Sequence, residues 1–253
     1  MAIFPEVTGL MLYPTHHTKE VQSMAGHKQI IPSGKRESVF FLPWRSAFIL
    51  ILFTAILDRA GLFNNSLNLK TFCSFTTLSS GYILLITLLD MLKVFSSNGR
   101  LDFWFSKFRA LGVMVILITG LVYHLILLPH DAAEIPNYRV FTYGNIAAHY
   151  FAPAGMFFDW LLFDKKGRIG KWDPLIFVSL PVAYLILASI YAYYGPPIPG
   201  WETSFAYFFM DWNTLGVTEV IRWIAFLLVC ILSLAYLIYL IDYLSAKKNR
   251  SVL

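Results

Sequence analysis

The chain has 253 residues, of which 57% are hydrophobic, 17% aromatic and only 14% charged, with a mean hydropathy of +0.61. A soluble domain of this size carries about 25% charged residues, so the shortfall points to an integral membrane protein and excludes disordered, collagen-like and disulfide-knot classes. The net charge of +5 does not indicate nucleic acid, because the basic residues lie between apolar runs rather than in one solvated patch.

Residues 1–38 hold charges, histidines and prolines without a continuous apolar core, so they read as a polar cytoplasmic tail and not as a cleavable signal. A bilayer core of roughly 30 Å needs about 20 apolar residues in helix. Stretches near 40–62, 72–94, 108–128, 145–163, 174–194 and 220–244 meet that standard. Backbone groups in lipid must be satisfied internally, which makes these runs helices. The expected fold is all-α: a six-helix transmembrane domain over 39–246, followed by a basic tail at 247–253. Cys73 and Cys230 fall within or beside apolar runs and read as buried free thiols.

Basic residues set the orientation. With six spans both termini share a side, which holds sixteen of the 20 basic residues, including Lys93, Arg100, Lys107, Lys165, Lys166 and Lys247. Arg59, Lys70, Arg139 and Arg222 fall on the other. The bias places both termini in the cytoplasm, in what reads as a bacterial cytoplasmic membrane. The outer side then presents 63–71, with the sequon Asn64-Asn65-Ser66, a loop at 129–144, and an aromatic, proline-rich loop at 195–219. There is no internal repeat of the kind that inverted-repeat transporters show.

Polar side chains inside spans are functional candidates by default. They are Thr76, Ser79, Ser80 and Asp90 in the second span, His124 in the third, and His149 and Asp159 in the fourth. Thr76, His124 and His149 each lie about four residues from an outer end, near 6 Å deep at 1.5 Å per residue, so they share a level. A threonine hydroxyl needs a base to act as a nucleophile, and histidine is the usual one. Thr76 and His149 meet that need if their helices pack together. Asn145, one turn before His149, is placed to hold the imidazole or a developing oxyanion. Pro153 withholds the bond to the carbonyl of His149. Tyr123 and His124 are further orienting candidates, and Asp90 and Asp159, toward the cytoplasmic half, read as anchors to nearby Lys or Trp. The alternatives at this point are a haem or metal protein using His124 and His149, and a transporter lined by Thr76, Ser79 and His149. A retinal protein is disfavoured, because no lysine lies mid-span.

Phe75-Thr76-Thr77-Leu78-Ser79-Ser80, Asn145 to Pro153 with Asp159-Trp160, and Tyr207-Phe208-Phe209-Met210-Asp211 with Leu215-Gly216 occur in that order. Together they resemble the six-span androgen-induced-gene family, which includes the androgen-dependent TFPI-regulating protein, and more closely its bacterial homologues. The resemblance covers nearly all the chain after residue 40. It implies an intramembrane threonine hydrolase cleaving fatty acid esters of hydroxy fatty acids or similar lipid esters. The family nucleophile falls on Thr76 and the family base on His149. Ser79-Ser80 stand where bacterial relatives commonly carry Ser-Asn. This reading calls for a lipid-ester substrate in the bilayer, and for no cofactor, metal or nucleic acid.

Overall fold

A computed structural model of the protein describes residues 34–65, 67, 69–92, 99–198 and 203–251. The expected tail up to residue 33, Ser66 of the sequon, Lys93 and Trp201 lie outside the described residues. Among the described residues the chain is helical and has no strand. Helix α1 is Gly34–Arg59 and α2 is Phe75–Met91. Helix α3 runs Gly99–Val122, continues through a π-helical turn at Tyr123–Leu127 and ends as Leu128–Glu134. Helix α4 has the same design: Tyr143–Ile146, a π-helical turn at Ala147–Phe151, then Ala152–Phe163. Helix α5 joins Asp173–Phe177 to Ser179–Tyr194, and α6 is Val217–Ser251.

Four of these helices, Phe40–Arg59 of α1, Gly99–Glu134, Asp173–Tyr194 and Val217–Lys248 of α6, are long and apolar enough to cross a membrane; α2 is apolar but shorter. The third helix is much longer than the run expected at 108–128. The reason is local: Pro129 loses a backbone bond, but the π turn before it absorbs the break and the helix continues. The second helix starts later than expected because Ser74 caps it, its hydroxyl accepting from the amide of Thr77 at 3.3 Å.

Helix α3 is the axis of the fold. Ala110, Val113, Met114, Val115 and Ile116 are fully buried and pack with Ile83 of α2, Phe48 and Leu52 of α1, and Met156 and Trp160 of α4. The contact between α1 and α4 is close at Gly155, where a β-carbon would stand 2.5 Å from the Phe48 ring. In contrast, α5 and the outer flank of α6 leave Ile186, Leu187, Ile190, Ile221 and Val229 exposed, as lipid-facing helices do.

At the Asp90 end, a buried ionic cluster ties α1 to α4. Arg45 donates from Nε and Nη2 to the two oxygens of Asp159 at 2.9 and 2.8 Å, and its Nη1 pairs with Asp90. Arg109 pairs with Asp159 through Nη2, with Asp164 through Nε at 2.7 Å, and with Asp90 through Nη1 at 3.2 Å. The Trp44 indole also donates to Asp159, at 3.1 Å. The sequence counts Arg45 and Arg109 among the basic residues of the side that holds the termini; they are 1% and 2% exposed. The anchors of Asp159 are therefore these two arginines and Trp44, with no lysine among them.

Candidate active site

The site is built at the opposite end of the same four helices. A 3-10 turn, Leu69–Cys73, leads into the Ser74 cap, and the Ser74 hydroxyl also donates to the carbonyl of Thr71 at 2.7 Å. Thr71 and Thr77 hydroxyls meet at 3.1 Å. These bonds fix the first turn of α2, where Thr76 is the second residue and 4% exposed. Its neighbour Phe75 donates its amide to the Tyr207 hydroxyl at 2.9 Å, which docks the aromatic loop before α6 onto the helix start. Burial pushes the Tyr207 phenol up, so it keeps its proton and remains a donor.

His149 sits in the π turn of α4. Pro153 has no amide for the His149 carbonyl, and the turn widens so that Ala152 bonds Ala147 instead. The freed carbonyl faces α3 at Gly120, where a β-carbon would come within 2.8 Å of the His149 oxygen and 2.9 Å of Pro153. On the other side of the ring, Tyr123 stacks at 3.7 Å with an interplanar angle of 11°. The Tyr123 hydroxyl is held by that of Tyr138 at 3.1 Å.

The tautomer follows from the partners. His149 Nδ1 lies 3.2 Å from the backbone carbonyl of Asn145, which can only accept, so Nδ1 carries the hydrogen. Nε2 is then an acceptor, and it faces Thr76 Oγ1 at 3.4 Å. This is the long end of hydrogen-bond range, common for nucleophile–base pairs before substrate tightens them. A hydroxyl, a base with its lone pair toward it, and a fixed third group that orients the base are all present.

Thr76 lies between two cavities. The larger, about 400 Å³, is polar and includes Arg59, Tyr123, His130, Asp131, Tyr138, Asn145, His149 and Tyr207 in its lining. The smaller, about 60 Å³, is lined almost wholly by apolar side chains from α2, α3, α5 and α6, among them Phe75, Ile118, Leu185 and Leu227. Water and ions suit one, hydrocarbon the other.

Of the residues expected from sequence, Thr76, His149, Tyr123 and Asn145 come together. Asn145 holds the imidazole with its backbone; its side chain bonds the Arg139 carbonyl at 3.3 Å and reaches Arg59 at 3.5 Å. Ser79 lies one turn deeper, bonding the Thr76 carbonyl and the Thr119 hydroxyl at 3.0 Å each, and Ser80 is buried with its hydroxyl unpartnered. Neither serine is among the residues lining the two cavities. His124 is exposed and bonds the Tyr150 hydroxyl at 3.0 Å, away from His149. Cys73 and Cys230 are unpaired and half-buried. No cluster of three or more metal-ligating His, Cys, Asp or Glu occurs among the described residues.

Sequence reasoning missed Arg59, Tyr138 and Tyr207 as cavity residues. It also missed the paired π turns, each followed at the second position by a proline, Pro129 and Pro153. No protein-family model matches the chain, and no curated protein or solved structure is significantly similar to it.

Proposed function

We propose that the protein is a six-span membrane hydrolase of lipid esters, with both termini cytoplasmic, Thr76 as nucleophile and His149 as general base. The observation that carries this reading is the 3.4 Å approach of Thr76 Oγ1 to a histidine nitrogen whose tautomer leaves a lone pair facing it. The family resemblance selects the same two residues by an independent route.

An ester whose acyl chain enters the apolar slot presents its carbonyl carbon to Thr76. His149 Nε2 takes the hydroxyl proton as the Thr76 oxygen bonds that carbon. The tetrahedral oxyanion forms at the first turn of α2, where the positive end of the helix dipole stabilises it and the protonated Tyr207 hydroxyl, docked there by the Phe75 amide, is at hand to donate. Collapse breaks the bond to the alcohol oxygen, which leaves with the proton from His149. Water from the polar cavity, deprotonated by the same nitrogen, then attacks the acyl-threonine, and the acid departs as the threonine hydroxyl is restored. The polar cavity meets a requirement of this chemistry, since deacylation needs water that the bilayer core lacks.

The haem or metal alternative needs His124 and His149 to converge, and His124 instead engages Tyr150. The test is cleavage of a chromogenic long-chain ester by protein in nanodiscs, with covalent labelling by a fluorophosphonate. Thr76→Ala and His149→Ala are each expected to lower the rate by a thousandfold or more, on the order seen when a nucleophile or base is removed, while Thr76→Ser keeps part of it. The label belongs on the peptide containing Thr76. Full activity of Thr76→Ala overturns the assignment, and a label on Ser79 or Ser80 moves the nucleophile.

A further inference from the structure

Three arginines lie among α1–α4, Arg45 and Arg109 buried and Arg59 half-buried, and they differ in their partners. Arg45 and Arg109 are both ion-paired to aspartates. Arg59, which lines the polar cavity, makes no ion pair among the described residues. Its Nε is buried without a hydrogen-bond partner, and its Nη1 reaches only the Asn145 side-chain oxygen, at 3.5 Å. The adjacent carboxylate, Asp58, accepts instead from the amide of Gly144 at 3.0 Å. The two carboxylates that line the cavity are engaged elsewhere: Asp131 with His130 at 3.3 Å, and Asp211 with the amides of Asn213 and Thr214. Withdrawing part of a guanidinium from water with no ion-pair partner is costly, and natural proteins seldom keep such a group that nothing neutralises.

We propose that Arg59 binds the oxyanion of an amphiphilic ligand, a carboxylate or a phosphate, so that the ester taken by this site carries an anionic end. Thr76 then stands between the two halves of its ligand. The anionic end lies in the cavity with Arg59, and hydrocarbon fills the slot beside Phe75, Ile118 and Leu227. A planar guanidinium suits either oxyanion, because its paired N–H groups match two oxygens at once. The inference rests on the hydrolase reading only in calling this ligand a substrate or product; anion binding itself does not depend on cleavage.

The test therefore uses binding to the Thr76→Ala protein in nanodiscs, titrated calorimetrically with dodecanoate, dodecyl phosphate and the neutral methyl dodecanoate, against empty nanodiscs. At least one anion is expected to bind on the order of tenfold or more tightly than the methyl ester, the range for a charge-assisted contact. The stronger of the two anions identifies the headgroup chemistry. Arg59→Gln erases that preference, and Arg59→Lys restores part of it. Equal affinity for the anions and the methyl ester overturns the proposal without need of any variant at position 59, and so does a preference that survives Arg59→Gln. Loss of cleavage by Thr76→Ala with no anion preference would leave the hydrolase reading standing and remove this one.

Discussion

The two ends of the same four helices handle buried polarity in opposite ways. At the Asp90 end, Arg45 and Arg109 face Asp90, Asp159 and Asp164, and the charges are held by multiple short bonds. At the Thr76 end, one arginine lacks an acid, one histidine nitrogen offers a lone pair at 3.4 Å, and an open cavity adjoins them. Both arginines at the Asp90 end have carboxylate partners, although Arg109 Nη1 lies against Asp90 without a hydrogen bond, and that end fixes geometry. The Thr76 end holds a guanidinium with no ion-pair partner beside an open cavity, which is what an anion site requires. Polar residues within spans thus divide by completeness of partnering and not by charge or depth.

Deleting a member from each end separates the two kinds of polarity. Asp159→Ala strips two guanidiniums of a shared partner and is expected to cost about 3–5 kcal/mol, as for a broken buried pair. Arg59→Gln removes a charge that has no counterion, so thermal unfolding in the same micelle should be unchanged or slightly higher. Equal destabilisation by both substitutions would mean that the Arg59 guanidinium is as structural as those of Arg45 and Arg109.

Much of this division was legible in the sequence, and some was not. Thr76, His124 and His149 stood out because a hydroxyl and two imidazoles at one depth in separate apolar runs are costly unless used, and Tyr123 entered only as an orienting candidate. Asp159 stood out for the same reason. Its partners did not, because Arg45 and Arg109 near span ends are the residues that the topology rule assigns to solvent; charge alone carries no sign of whether a guanidinium turns inward. His124 shares the depth of His149, yet depth says nothing of azimuth, and the π turns at Tyr123–Leu127 and Ala147–Phe151 shift that azimuth by inserting a residue. Arg59 was only one of the four basic residues counted on the side away from the termini. The position of Asp58 on the Gly144 amide reveals that its neighbouring acid makes no ion pair with it.

The precision of the Thr76 site rests on a close approach that the Asp90 cluster does not need. Gly120→Ala places a β-carbon 2.8 Å from the His149 carbonyl and 2.9 Å from Pro153, so α4 must move away from α3. Overpacking of this kind costs on the order of 1–3 kcal/mol. A displacement near 1 Å at the base lowers turnover about a hundredfold. Ester cleavage should therefore fall far more than the unfolding midpoint does. A matching substitution that left turnover unchanged would show that the Thr76–His149 separation tolerates movement, which an acid–base pair does not.

The smallest expected effect lies at the edge of the Asp90 cluster. Asp90, Asp159 and Asp164 outnumber Arg45 and Arg109, and Lys166, beyond the end of α4, lies over the Trp160 ring at 3.7 Å and donates to the Trp160 carbonyl. Burial draws the Lys166 ammonium down to about 8, against the pull of Asp164, Asp242 and Asp159 in the other direction. Between that value and the ordinary lysine range, the unfolded chain holds a proton that the folded chain has released, so stability from this group rises as pH increases through the interval. The unfolding midpoint of the protein, less that of Lys166→Met, should climb from pH 8 to pH 10. Parallel midpoints across that range would place Lys166 in water. The Asp90 end would then keep its excess acid without a third cation, and its ion pairing, unlike the openness of the Thr76 site, would rest on the two arginines alone.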